Sequence, residues 1–171
     1  MGRPTAEELF DRHHVTIYRF LRRLTGDSTL AQDLTQDLFV KVIRGLETYD
    51  SRDRDLAWLF RIARRIVADR RKAGSRTPDL VPSEEEAYPA SAPGQVRLGL
   101  DEALALLPET ECEAFLLREQ GGFGYEEIAA IAGATPDAVR NRIHRARTTL
   151  RKLLSAGIVR SGITGPREAS Q

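Results

Sequence analysis

The residues best suited to chemistry crowd one short stretch near the end of the chain. Arg140, Arg142, Arg145, Arg147, Arg151 and Lys152 lie between positions 140 and 152 without one acid, and a merely soluble helix usually mixes its charges. Val139, Ile143, Ala146, Leu150 and Leu153 recur at steps of four and three, so one side of a helix here is apolar. Asn141, His144, Arg145, Thr148 and Lys152 fall on the other side. An anchored inner side and a cationic, hydrogen-bonding outer side are what a helix needs to lie in the major groove of DNA. Within its first turns Thr135, Asp137, Arg140, Asn141 and His144 reach base edges. Arginine suits guanine and asparagine suits adenine by bidentate geometry. Arg145, Arg147 and Arg151 lie further along and fit phosphates, which position without specifying sequence.

The flanking residues say how such a helix is presented. Glu126 and Glu127 open a preceding helix, where its dipole favours negative charge, and Gly133 supplies the sharp turn that ends it. Thr135 caps the next helix and Pro136 takes its first position, where a missing N–H costs nothing. The stretch from Gly124 to Arg147 therefore reads as a helix-turn-helix.

A second cationic block is Arg61, Arg64, Arg65, Arg70, Arg71, Lys72 and Arg76, opposed only by Asp69. Such density is suited to phosphate neutralisation. Upstream, a helix over about 30–46 divides into two sides. Leu34, Leu38, Val42 and Leu46 gather on one, and Asp33, Gln36, Asp37, Val40 and Arg44 on the other. Two readings stand for the polar side: a solvated surface carrying one stray valine, or a face that docks another helix. The polar loop from Tyr49 to Asp55 separates this helix from the next.

Apolar periodicity places helices at 5–25, about 30–46 and 56–72, which form a first domain over residues 5–73. Residues 74–96, with Gly74, Pro78, Pro82, Pro89, Pro93 and Gly94, read as a flexible acidic linker. The second domain, 97–154, begins with a helix that stops before Pro108 and closes with the helix-turn-helix; residues 155–171 read as a disordered tail. The expected fold is thus all-α, two small helical domains joined by a flexible linker.

The net charge of +1 is uninformative, whereas its distribution is not. Two basic blocks flank an acidic stretch that includes Glu84, Glu85, Glu86, Glu109, Glu111 and Glu113. The single cysteine, Cys112, excludes an internal disulfide and fits a packed thiol in a reducing cytoplasm. Neither it nor His13, His14 and His144 has metal-ligand spacing, and no cofactor or small-molecule substrate is implied. Nor does any apolar run approach a membrane span. No nucleophile-and-base pairing or phosphate loop marks the chain as an enzyme.

The order of these pieces resembles the extracytoplasmic-function group of bacterial RNA polymerase sigma factors. The resemblance runs from about Ala6 to Leu154 and rests on Asp33-Leu-Thr-Gln-Asp37, on Trp58-Leu-Phe-Arg-Ile-Ala-Arg-Arg65, and on Leu107-Pro-Glu-Thr-Glu-Cys-Glu-Ala-Phe115 ahead of the helix-turn-helix. Arg65 stands where the family commonly has asparagine, and Gly124 where a serine or threonine usually caps the helix. The resemblance implies that Asp33, Gln36, Asp37, Val40 and Arg44 bind core RNA polymerase. It also implies that the second helix-turn-helix element reads the minus-thirty-five element of promoter DNA. Arg61, Arg64, Arg65 and Arg71, with Tyr49, Asp50 and Ser51 of the loop, would serve the minus-ten element and the capture of a flipped base. Tyr49 admits a second role, as the apolar end of its helix, and Trp58 fits core packing. An anti-sigma factor is implied as a further partner. The rival is a stand-alone helix-turn-helix regulator, which would bind a palindrome as a dimer and leave the faces of the second and third helices without a task.

Overall fold

The computed structural model describes residues 3–49, 54–74 and 99–159, with side chains described as far as Ser155. Seven α-helices make up the described residues, with one 3-10 turn at Leu46–Thr48 and no strand. The loop residues Asp50 and Ser51, residues 75–96 of the expected linker with Glu84, Glu85 and Glu86, and residues 160–171 lie outside them.

Helix α1 (Ala6–Thr25) starts where its sequence says it should. Glu8 N–H donates to Thr5 Oγ1 at 3.1 Å and Thr5 N–H donates to Glu8 Oε2 at 2.8 Å, so two otherwise orphaned donors are satisfied reciprocally. Gly26 ends it in the left-handed region, at φ 74. Asp27 caps α2 (Ser28–Gly45) by accepting from Leu30 N–H at 3.0 Å, which starts this helix two residues ahead of the periodicity. Helix α3 spans Asp55–Gly74. These three pack around Leu9, Ile17, Phe20, Leu21, Leu34, Leu38, Leu59 and Phe60, all essentially inaccessible.

Helices α4 (Leu100–Ala105), α5 (Glu109–Glu119), α6 (Tyr125–Ala132) and α7 (Pro136–Val159) form the second unit. Val139, Ile143, Ala146 and Leu150 seal α7 against α5 and α6, as the stripe predicts. Gly124 has no side chain to cap α6. Glu127 nevertheless supplies half of a capping box, its Oε2 accepting from Gly124 N–H at 2.8 Å. Helix α7 continues past Leu154, the expected end of the domain, to Val159. No described helix is long and apolar enough to cross a membrane.

The two units share one core. Phe60 of α3 meets Phe20 edge-on at 4.7 Å and Phe123, in the α5–α6 loop, edge-on at 5.5 Å. Helix α1 lies against α4 and α5, and Arg23 Nε reaches Asp101 Oδ1 at 3.1 Å. The sequence pattern shows two bodies joined by a connector and does not reveal this junction.

Candidate nucleic-acid interface

Helix α7 begins as a sharp, well-capped turn. Gly133 takes φ 62, and Ala138 N–H donates to Thr135 Oγ1 at 3.2 Å. Its far side is buried, so its first turns face outward, and Thr135, Asp137, Arg140, Asn141 and His144 are all exposed there. Arg140 is pre-oriented: Nη1 donates to Asp137 Oδ1 at 2.9 Å while the guanidinium lies 5.2 Å from the centre of the Tyr125 ring. Arg145 and Arg147 are exposed but turned toward α5, donating to Glu111 and Glu119, each at 2.7 Å. Arg151 is exposed. Thr148, expected on the outer face, is half-buried and donates to the His144 carbonyl at 2.9 Å.

Helix α3 and the end of α2 line an open cleft of about 970 Å³. Its walls carry Lys41, Arg54, Arg61, Arg65 and Lys72 together with the acids Asp69, Glu109 and Glu113, and Tyr49 and Trp58 also line it. Arg61 and Arg65 have no ion pair among the described residues. Arg64 and Arg71 reach across to the second unit instead: Arg64 Nε donates to Glu113 Oε1 at 2.6 Å, and Arg71 pairs with Glu109. Asp69 is exposed.

Tyr49 is only 7% exposed. Its ring stacks on Trp58 with centroids 4.0 Å apart and planes within 15°, and its hydroxyl donates to Asp55 Oδ1 at 2.6 Å. Tyr49, just past the 3-10 turn, is thus a packed side chain of the fold.

On α2, Asp33, Gln36, Asp37, Val40 and Arg44 are all exposed, and the opposite side is buried. Ile43, three residues after Val40, is 63% exposed and extends the same face. The i, i+3 spacing of these two apolar residues among charges is its signal in the sequence, beside the inward run Leu34, Leu38 and Val42. With Val40 at 44%, the face carries two uncovered β-branched side chains.

Glu111 and Glu113 were missed as structural residues. Both are nearly buried, although carboxylates rarely are unless paired. Desolvation pushes the Glu113 carboxyl above its ordinary range, and the Arg64 guanidinium opposes the shift without cancelling it. Burial likewise raises the neighbouring Cys112 thiol to about 11, which fits the packed, unreactive thiol expected. A carboxyl whose folded value lies above its unfolded one favours folding at low pH, and that contribution is lost as pH rises through the folded value. At neutral pH the charge on Glu113 therefore opposes folding, and Arg64, partly exposed, can return to water. Glu113→Gln should thus leave stability within about 1 kcal/mol of the parent, or raise it, in thermal denaturation at pH 7. A large drop in Tm would show that the ion pair, not the burial, dominates.

Residues 9–77 match the family described as sigma-70 region 2, and residues 97–150 match sigma-70, region 4. The chain is 35% identical over 153 residues to RNA polymerase sigma factor CarQ of Myxococcus xanthus, covering 86% of this chain and 88% of that one. It is 35% identical over 161 residues to ECF RNA polymerase sigma factor SigE of Mycolicibacterium smegmatis, covering 89% of this chain but only 62% of that protein's length. Among solved structures it is similar to the sigma factor RpoE in complex with the anti-sigma factor NepR from Bartonella quintana, at a TM-score of 0.74 and 29% identity, covering 87% of this chain and 96% of that one. With both regions matched in order, and a relative at 35% identity covered over 88% of its length, the chain belongs to the ECF RNA polymerase sigma factors.

Proposed function

We propose that this protein binds core RNA polymerase, directs it to specific promoters and promotes strand opening, the synthesis of RNA remaining the polymerase's own reaction in the cytoplasm. Residues 5–73 and 97–154 act as the two functional domains. The observation that carries this reading is the exposed face of α2. A stand-alone regulator has no use for Asp33, Gln36 and Asp37 set around two uncovered apolar side chains, whereas a docking surface needs an apolar centre with a polar rim. Arg44 closes that rim.

The first turns of α7 read the minus-thirty-five element through Thr135, Asp137, Arg140, Asn141 and His144, with Arg145, Arg147 and Arg151 on phosphates. The cleft along α3 serves the minus-ten element, with Arg61, Arg64, Arg65 and Arg71 meeting the backbone of the opened strand. Asp50 and Ser51 contact the flipped base, and Tyr49 fixes the chain that carries them. The similarity to a sigma factor solved with an anti-sigma factor supports a partner of that kind, covering these same surfaces.

The decisive experiment is run-off transcription with purified core enzyme, with and without the chain, on a library of promoters. Transcripts dependent on the chain are expected, and their loss is expected with Asp33→Ala combined with Gln36→Ala. Full activity of that double variant would remove α2 as the docking face. Within the library, Asn141→Ala should cost about 1–3 kcal/mol at one base pair and relax the preference there. Arg151→Ala should weaken all promoters alike and reduce the salt dependence.

A further inference from the structure

Phe10 is out of place on α1. It is 44% exposed, whereas Leu9, Ile17, Phe20 and Leu21 of the same helix are inaccessible. Its ring is nevertheless held. The His14 imidazole stacks on it at 4.5 Å with planes within 5°, and His14 Nδ1 donates to the Phe10 carbonyl at 2.8 Å. Phe39 of α2 meets it at 4.9 Å and 69°. Phe39, only 8% exposed, stands at the edge between the buried and outward sides of α2. Ile43 is one turn further along and Val40 three residues before Ile43, both exposed. At about 100° per residue the order around α2 runs Val42, Phe39, Ile43, Val40, Asp33. Phe10, Phe39, Ile43 and Val40 therefore form one apolar band that begins on α1 and crosses α2. Both margins of the band are acidic. Glu7 and Asp11 flank Phe10 on the solvent side of α1, and Asp33 and Asp37 lie beyond Val40. All four are exposed, and none has an ion pair among the described residues. Lys41 and Arg44, one turn past Asp37 and Val40, are the cations at that margin.

We propose that the docking site for core polymerase spans two helices: Phe10 is the anchor at its α1 edge, and the band seats a basic amphipathic helix of the polymerase. This rests on the reading of α2 given above, to which it adds a second wall and the chemistry of the partner. Uncovered apolar side chains in a row are matched only by an apolar stripe. Their acidic margins call for lysines and arginines on either side of that stripe, since acids there would be repelled. Helices α1 and α2 offer no free backbone edge for a strand to pair with. Recognition therefore falls to side chains, as it does when a helix lies in a groove. The stack with His14 fixes the Phe10 ring before the partner arrives, so little freedom is lost on contact.

The test uses the full chain and purified core polymerase, with association followed by fluorescence anisotropy of the labelled chain. Phe10→Gln, which removes the apolar ring, should weaken association about tenfold, the loss of one anchoring side chain. Phe10→Leu, still apolar, should bind nearly as the parent does. Glu7→Lys combined with Asp11→Lys should slow association and flatten its salt dependence, the mark of a charge at the rim. Thermal unfolding of the free chain separates docking from folding: Phe10→Gln and Phe10→Leu should melt close together, because nearly half of the ring is already in water. Asp33→Ala with Gln36→Ala is measured beside them. If that double variant weakens binding and Phe10→Gln does not, α2 docks alone, and the proposal is overturned while the reading of α2 stands. If Phe10→Gln weakens binding and the double variant does not, the polar side of α2 is no rim, yet Phe10 keeps its role as anchor. Unchanged binding in both removes both. Sedimentation of the free chain tests the other occupant. If Phe10→Gln abolishes self-association and leaves core binding intact, the band belongs to a second copy of the chain, and the proposal falls.

Discussion

Phe60→Ala is expected to cost about 3–5 kcal/mol of folding stability, the range for emptying a fully buried aromatic site. Phe60 is wholly inaccessible and stands between Phe20 of its own unit and Phe123 of the other, both edge-on at 86°. Its ring fills the junction from both sides, so no neighbour can collapse into the cavity without disturbing one unit. Phe60→Leu, which keeps much of the volume, should lose far less, about 1.5 kcal/mol. Urea unfolding monitored by circular dichroism distinguishes the two. A loss below about 1 kcal/mol for Phe60→Ala would mean that the units do not meet at this ring in solution.

Gly121→Ala should be nearly as damaging, for the opposite reason. A Cβ added at Gly121 would run into the Phe123 ring and come 2.6 Å from the Leu117 carbonyl oxygen. A ring can turn away, but a carbonyl in the last turn of α5 cannot without unwinding it. The cost should reach the upper end of the roughly 1–3 kcal/mol seen for overpacking. It should also release Phe123 from Phe60. Gly122 is the control. It takes φ 69, with nothing within 4 Å of an added Cβ, so alanine there meets only left-handed strain of about 1–2 kcal/mol. Thermal unfolding of the two variants side by side tests the ranking, and Gly122→Ala proving the worse would show that backbone conformation outweighs the clash.

Much of this fold was legible because its signals are local. Thr5 with Glu8, Gly26, Gly133, and Thr135 with Pro136 act within a few residues, and each helix boundary they mark is found within a residue or two. The outward faces of α2 and α7 followed from the same arithmetic of helical turns. The junction between units was not legible, because periodicity says which side of a helix is buried but not what covers it. Glu109, Glu111 and Glu113 looked like part of an acidic connector, since charge normally marks solvent. In the folded chain Glu111 and Glu113 are nearly buried, and the three acids face Arg71, Arg145 and Arg64. Phe10 of α1, apolar though it is, is 44% exposed and stacks on His14. Asp55 read as the polar end of a loop. Only the folded chain shows that it accepts the Tyr49 hydroxyl and lies 3.7 Å from Arg12.

The carboxylates of α5 also change what a salt titration of promoter binding will measure. Arg64, Arg71, Arg145 and Arg147 each already hold a counterion that belongs to the chain itself. Where phosphate takes over such a guanidinium, the departing anion is a tethered glutamate, and no dissolved ion of the protein's own atmosphere enters the exchange. The electrolyte dependence of affinity will then reflect the DNA's released cations alone, while the free energy per contact is diminished by parting each internal pair. Affinity will be lower than the count of basic side chains suggests, and discrimination against stray duplex correspondingly sharper.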